Sequence, residues 1–525
     1  MYEIKAKKWS NILLGGIIII ILNLYNIIKY GINITVPVGQ DISNRELEEG
    51  ILQWNEINIK ILISIIISII IIFNIKHQIY NNTKDNISQS VILIGGTTER
   101  KDNTKEYEML IIIGIIGIIT IMISNEIIIL YIGLELYTFT IYIIILNNQT
   151  ENVKLWGIKY LIINTISTSI FLLSLVYLYK ETGIWIITIN NYTTNINIWI
   201  QTGIILSLLF KLGTVPFSYW IIRIYNVLDK RILNYQLIVS KVIYLYILFL
   251  FGSLFYNSHT LSSLFTYLST PLIPINIYGN NNLYFNTNIF IFLILISLLS
   301  LLLGSIGGTI QYTFNTLFTY SSILNIGYLL LGISFILLNL PRDLENILFN
   351  INILTISEFW TILEYLLIYF FSLIGLFSWF YLYNKSSFIF KWTNITLHPY
   401  SFFSLCIFIF SFIGIPPLAG FYAKLHILMN ILQSYNIMNL YTLSNISIFV
   451  FIISTLISIF LYLKFLTPSS LSYDLNSLSL SSHTNITIDN TLDKPTTTTY
   501  ILSLSVFFII FYLLFILLLF PLLSY

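Results

Sequence analysis

Four charged side chains interrupt long apolar runs of this sequence: Glu135 within Ile127 to Leu146, Lys211 within Trp199 to Trp220, Lys241 within Ile232 to Tyr256 and Lys424 within Ser401 to Leu432. Charge inside hydrocarbon is costly, so ionisable residues there usually face protein or water and mark ion or proton pathways. A carboxylate and an ammonium that share a dry interior shift each other's proton affinity. A row of such groups can pass protons, and proton transfer is the chemistry these residue types offer.

Each position also has a plainer reading. Glu135 could hydrogen-bond one helix to another, but its depth and two lysines in nearby runs argue against that reading. Lys241 stands about ten residues from Lys230 and Arg231 and could reach toward that connection by snorkelling. Lys424 is followed by apolar residues through Leu432, which argues against an end position. Lys159 and Lys464 lie nearer the ends of their runs, where snorkelling is the default, and Arg223, Lys230 and Arg231 read as solvated. Glu358 and Glu364 do not share one clean helical face. His426, two residues from Lys424, points away from it on a helix and reads as a satisfied polar contact.

The elements that carry these charges are broken where the charges sit. Gly213-Thr214-Val215-Pro216 must end a helix just behind Lys211, and Pro416-Pro417 must do so just before Lys424. Unwound backbone at membrane depth survives only where it lines a cavity or is buried in protein, and broken segments at matching places in two halves point to inverted-repeat transporters. The apolar runs fit that pattern. Met109 to Ser124, Ile127 to Leu146, Leu155 to Tyr179, Trp199 to Trp220 and Ile232 to Tyr256 form one set. Ile289 to Ile310, Leu317 to Leu340, Trp360 to Tyr383, Ser401 to Leu432 and Ile446 to Leu466 form the other, and the fourth member of each is the broken one.

The expected fold is therefore an all-α polytopic membrane protein with about thirteen or fourteen spans of roughly 20 residues each, arranged as two inverted five-helix repeats. Residues 1–108 hold N-terminal spans, Ile12 to Ile28 and Ile59 to Phe73, with polar loops. The first repeat covers 109–256, a loop 257–288, the second repeat 289–466 and a polar loop 467–499. Residues 500–525 supply a last span. Orientation is balanced, since Lys5, Lys7 and Lys8 at the start are opposed by Lys84, Arg100, Lys101 and Lys105. The Asn86-Ile87-Ser88 triplet matches a glycosylation acceptor, a match that Asn-rich chains produce by chance.

Composition agrees: of 525 residues 57% are hydrophobic, 16% aromatic and only 9% charged, against about 25% charged in soluble domains. The net charge of +2, without a sustained basic block, argues against nucleic acid as a partner. One cysteine, Cys406, and five scattered histidines, His77, His259, His398, His426 and His483, offer no iron–sulfur, haem or metal ligand set. No cofactor and no redox centre are expected. No cleavable signal is apparent. The bias toward Ile, Asn, Tyr and Phe is one that AT-rich codons produce, as in organelle-encoded membrane proteins.

Four stretches carry a resemblance. Leu130-Tyr131-Ile132-Gly133-Leu134-Glu135-Leu136 and Leu209-Phe210-Lys211-Leu212-Gly213-Thr214-Val215-Pro216-Phe217 resemble the glutamate-bearing fifth and broken seventh helices of the antiporter-like membrane-arm subunits of respiratory complex I. These are the family of NADH dehydrogenase subunit 2 and its bacterial counterpart, subunit N. Gly304 to Gly332, with Tyr320-Ser321-Ser322-Ile323 and Ile326-Gly327-Tyr328, is similar to the ninth-to-tenth helix passage. Ile413-Gly414-Ile415-Pro416-Pro417-Leu418-Ala419-Gly420-Phe421, with Lys424, is similar to the broken twelfth. The order matches across residues 109 to 466.

The resemblance implies a proton-translocating subunit that works while NADH reduces ubiquinone elsewhere in a complex, with other membrane-arm subunits and lipids as partners and the mitochondrial inner membrane as location. It assigns proton transfer to Glu135, Lys211, Lys241 and Lys424. The chain departs from the family pattern at Asn325, where the tenth helix carries histidine, and at Thr313, Asn315 and Thr316, where basic residues precede that helix. It departs again at Ser218 and Tyr219, and at Asn226 in place of an aspartate. The central relay then falls to bound water or to Glu364. Alternative readings are an Mrp-type cation/proton antiporter and a structural subunit that no longer pumps.

Overall fold

Apolar runs this long, rich in Ile, Leu and Phe, can satisfy their backbone groups inside a bilayer only as helices, and helix is what they form. The computed structural model describes residues 103–124, 126–146, 151–183, 185, 196–228, 230–269, 281–339, 344–383, 399–433, 441–478 and parts of 502–512. Every element among them is helical: α1 (Asn103–Ile123), α2 (Ile127–Leu146), α3 (Glu151–Thr182), α4 (Ile198–Leu212), α5 (Tyr219–Val227), α6 (Lys230–Ser269), α7 (Asn281–Ile310), α8 (Phe314–Asn339), α9 (Leu344–Tyr383), α10 (Pro399–Ile413), α11 (Ala419–Gln433) and α12 (Tyr441–Leu478). Seven of the described helices are long and apolar enough to cross a membrane. The chain is an all-α, multi-pass membrane protein. The expected spans before residue 103, most of the last span, the Asn86 triplet, His77, His398 and His483, and the side chains of Arg231, His259 and Glu358 lie outside the described residues.

The helices sort into a buried centre and a rim. Residues Phe314–Leu338 of α8 are buried except for the half-buried Asn315 and Tyr320, and Ile232–Gly252 of α6 and Thr361–Phe380 of α9 are mostly buried. On α12 the exposed side chains Ile446, Phe449, Ile452, Leu456, Phe460 and Leu463 recur every three or four residues, an apolar stripe of helical period facing outward. In lipid such a stripe carries no penalty, because hydrocarbon is as apolar as leucine. Small residues let the central helices approach: a Cβ added to Gly304 of α7 would meet the backbone nitrogen of Leu324 on α8 at 2.7 Å. Buried hydroxyls are satisfied within their own helices, as Ser297, Ser300, Ser321 and Ser322 each donate to the carbonyl three residues back.

Several helices outrun the apolar stretches that announced them. α6 continues from the expected end at Tyr256 to Ser269, so the loop expected over 257–288 is helix at both ends, because α7 begins at Asn281. α9 starts at Leu344 rather than near Trp360, and α12 runs to Leu478, into the loop expected over 467–499. The reason is physical. An apolar run measures the part of a helix that lipid and core require, whereas polar residues beyond it need not end the helix.

Candidate functional site

The first break is built by Gly213. Its φ of +65° is left-handed, a conformation glycine enters without a Cβ penalty, and its N–H donates to the carbonyls of Leu209 and Phe210. Thr214 gives its N–H and its hydroxyl to Leu209, each at 3.3 Å, and the Trp220 indole donates to Phe210 at 3.2 Å. Pro216 then bars a return to helix until α5 starts at Tyr219. These donors cap the end of α4, and Lys211 is fixed in its last turn.

Lys211 is 6% exposed. Its Nζ is buried without a hydrogen-bond partner and stands 5.7 Å from the centre of the Tyr244 ring, within the range of a cation–π attraction. Glu135, half-buried on α2, presents a buried and equally unpartnered Oε1. Lys211 lies within electrostatic reach of it. The expected charge pair is therefore not a contact pair. The geometry leaves an ammonium and a carboxylate facing one interior with open valences, where buried polar atoms normally find protein or water.

From there a run of phenols leads inward. The hydroxyls of Tyr160 and Tyr225 lie against the Gln236 side chain of α6, and Tyr160 and Tyr244 both sense Glu135. Five residues beyond Gln236 on that helix, Lys241 is only 3% exposed, and its Nζ donates to the Tyr369 hydroxyl on α9 at 2.7 Å. That geometry excludes snorkelling toward Lys230. One turn before Tyr369, Tyr365 donates to Oδ1 of Asn325 at 2.8 Å, while Asn325 donates to the Ser321 carbonyl at 2.9 Å.

The second break repeats the device. Gly414, at φ +83°, donates to the Phe410 carbonyl, as does Ile415, and Pro416-Pro417 separates α10 from α11. Here the lysine lies after the break. Lys424 is 7% exposed and folds back so that Nζ donates to the free carbonyls of Phe412 at 2.9 Å and Ile413 at 2.8 Å. A cation at a helix C-terminus meets both unmet acceptors and the negative end of the dipole. Its Nζ is also 5.3 Å from the Tyr328 ring centre, and Tyr328 shares a hydrogen bond with Ser454 of α12 at 3.1 Å.

All four residues singled out for proton transfer thus turn inward. The aromatic and amide groups between them, Tyr160, Tyr225, Tyr244, Gln236, Tyr365 and Tyr369, were not anticipated. The pair Tyr365 and Tyr369, four apart inside an apolar run, was the one available signal. Where the family's tenth-helix histidine is missing, Asn325 is held by Tyr365 rather than by Glu364, which instead lies 2.6 Å from His426. The solvated reading does not hold for Lys230, half-buried with Nζ 5.2 Å from the Phe314 ring centre. Burial holds its proton affinity below the ordinary lysine value. Lys464 reaches the carbonyls of Thr309 and Gln311, and Lys159 lies over Trp156. Cys406 is half-buried on α10.

Residues 124–270 match a family described as NADH:quinone oxidoreductase/Mrp antiporter, transmembrane. The chain is 24% identical over 400 residues to NADH-ubiquinone oxidoreductase chain 2 of Rhizopus oryzae, covering 73% of this chain and 69% of that one. It is 26% identical over 373 residues to NADH-quinone oxidoreductase subunit N of Rhodospirillum rubrum, covering 68% and 66%. Its fold matches a chain of respiratory complex I from Thermus thermophilus with a TM-score of 0.55 at 12% identity, covering 86% of this chain and 84% of that one. The resemblance carried by the four sequence stretches is borne out.

Proposed function

We propose, from the standing of this chain as an antiporter-like membrane subunit of the NADH:quinone oxidoreductase type, that it moves protons within a respiratory complex I of the mitochondrial inner membrane. NADH oxidation and ubiquinone reduction take place in other subunits. The proposal includes two inverted repeats, 109–256 and 289–466, each built around a broken helix. One observation carries it: Lys211, Lys241 and Lys424 are all buried, two of them beside helix breaks, with Glu135 facing the first across an interior that leaves Nζ of Lys211 and Oε1 of Glu135 unpartnered.

In this reading Glu135 holds Lys211 charged, and movement of the carboxylate away from it releases the proton inward. The phenols and Gln236 carry the line, through water, to Lys241 and Tyr369, and the Asn325 and Tyr328 region leads on to Lys424. Two unit charges about 4 Å apart at an effective dielectric of about 20 interact by about 4 kcal/mol. Moving one charge across 100 mV takes about 2.3 kcal/mol. Making and breaking one such pair is therefore the right size to drive a proton against the membrane potential.

The test is Lys211→Met in the assembled complex, with proton uptake per NADH followed in sealed vesicles. Loss of pumping, or turnover slowed about a hundredfold, is the expected outcome. Full coupled transport would remove the role assigned to Lys211. Migration of the chain with NADH dehydrogenase activity in a native gel separates this reading from that of a free-standing antiporter.

A further inference from the structure

α9 and α11 share a polar contact that the line above does not use. Glu364 is 1% exposed, and its Oε2 lies 2.6 Å from Nδ1 of His426, whose side chain is 39% exposed. One turn earlier on α9, Thr361 accepts a hydrogen bond at 3.0 Å from Asn430, which is one turn later on α11. The two helices are thus stitched antiparallel by two polar rungs. The second oxygen of Glu364, Oε1, is buried with no hydrogen-bond partner, and the Tyr512 hydroxyl is near enough to interact with the carboxylate.

Three features set Glu364 and His426 apart from a structural rung. A rung needs no ionisable groups, as Thr361 and Asn430 show beside it. An unpartnered carboxylate oxygen in the interior is costly unless water or another polar group reaches it. The histidine joins that buried acid to the outside of the bundle, and imidazole can accept a proton on one nitrogen while releasing one from the other. On both helices the dyad is next in sequence to members of the proposed line: Tyr365, which holds Asn325, follows Glu364, and Lys424, on another face of α11, stands two residues before His426.

We propose that Glu364 and His426 form a lateral proton port through which the buried line exchanges protons with whatever borders the α9 and α11 face, either water or a neighbouring subunit. In the inward direction, protonated His426 gives its Nδ1 proton to Oε2 of Glu364, leaving a neutral imidazole and a carboxylic acid. The carboxyl group turns so that its proton reaches water on the side now occupied by Oε1, which regenerates the carboxylate. The imidazole, whose remaining proton is on Nε2, turns so that its bare Nδ1 takes up a proton from outside and then swings back to Glu364, so one proton has crossed and both groups are restored. The outward direction reverses each step. This inference rests on the proton-transport reading above.

The experiment compares His426→Ala, Glu364→Gln and Glu364→Asp in the assembled complex, with proton-coupled ubiquinone reduction measured in sealed vesicles, with and without millimolar imidazole. His426→Ala and Glu364→Gln are expected to slow coupled turnover about a hundredfold, the low end of what a positioned acid–base group contributes. Imidazole should restore much of the loss in His426→Ala and none in Glu364→Gln, while Glu364→Asp keeps more than Glu364→Gln. Unchanged turnover in either of the first two, or a loss in His426→Ala that imidazole leaves untouched, overturns the port. Should His426→Ala not assemble, His426→Gln, which keeps a donor of similar reach, must assemble and lose coupled turnover; retained turnover overturns the port equally. Lys211→Met run alongside separates the two ideas. Pumping lost there but kept in the dyad variants sinks only the port, and pumping kept in Lys211→Met sinks the transport reading itself.

Discussion

Gly420→Ala should damage the second lysine site without touching a charged residue. A Cβ on Gly420 of α11 would fall 1.8 Å from the Ser411 carbonyl oxygen and 2.8 Å from its carbon on α10. These are backbone atoms, so no side chain can swing aside. Reaching the 3.0 Å below which such contacts are essentially never found requires α10 and α11 to part by about 1.2 Å. The Lys424 bonds to Phe412 and Ile413, at 2.9 and 2.8 Å, cannot absorb that opening and remain hydrogen bonds. Overpacking costs about 1–3 kcal/mol, and hydrogen bonds to a charged group are worth about 1.5–3 kcal/mol. With about 1.4 kcal/mol per factor of ten, a loss of about 3 kcal/mol predicts coupled turnover slowed about a hundredfold, with a lowered thermal midpoint for the complex. Gly332→Ala is the internal control, because its Cβ would meet nothing closer than Ile427 Cγ1 at 3.6 Å; it should be neutral, or stabilising by up to about 1 kcal/mol. Equal turnover and equal stability in the two variants, both measured on assembled complexes, would refute the reasoning.

Other perturbations probe the rest of the line. Gly213→Ala forces an alanine into φ +65° and places its Cβ 1.8 Å from Ile221 Cδ1; about 2–4 kcal/mol of destabilisation should result, part of it recovered in a double variant with Ile221→Ala, as thermal unfolding will show. Tyr369→Phe removes the hydroxyl that accepts from Lys241 at 2.7 Å. Its expected loss of about 1.5–3 kcal/mol corresponds to coupled turnover reduced at least about tenfold, read as ubiquinone reduction and proton uptake together. Tyr365→Phe strands the buried Oδ1 of Asn325 and should lower stability by about 1–3 kcal/mol, visible as a fall in the thermal midpoint of the assembled complex.

Much of this was legible in the sequence because membrane physics is unforgiving. Apolar runs had to become helices, and glycine followed by proline had to break them. Lysines flanked by Leu209, Phe210 and Leu212, or by Ala423 and Leu425, had nowhere to go but inward. What stayed hidden was contact between residues far apart in the chain. Nothing in the spacing pairs Lys241 with Tyr369, 128 residues away, or Glu364 with His426, 62 residues away. Tyrosines were masked by their abundance: with 37 in the chain, five or six pointing at one interior leave no local mark. Helix ends were the other weakness, since polar residues outside the bilayer extend α6, α9 and α12 at little cost.

The most direct test of one hydrated, charge-bearing interior is a density map of the assembled complex at a resolution that shows ordered water. The expected result is water bound to Oε1 of Glu135 and to Nζ of Lys211, linked through the Tyr160, Tyr225 and Gln236 region toward Lys241 and Tyr369. Density showing a dry interior there, with Glu135 and Lys211 turned outward to headgroups or each closed off by its own protein partner, would contradict it.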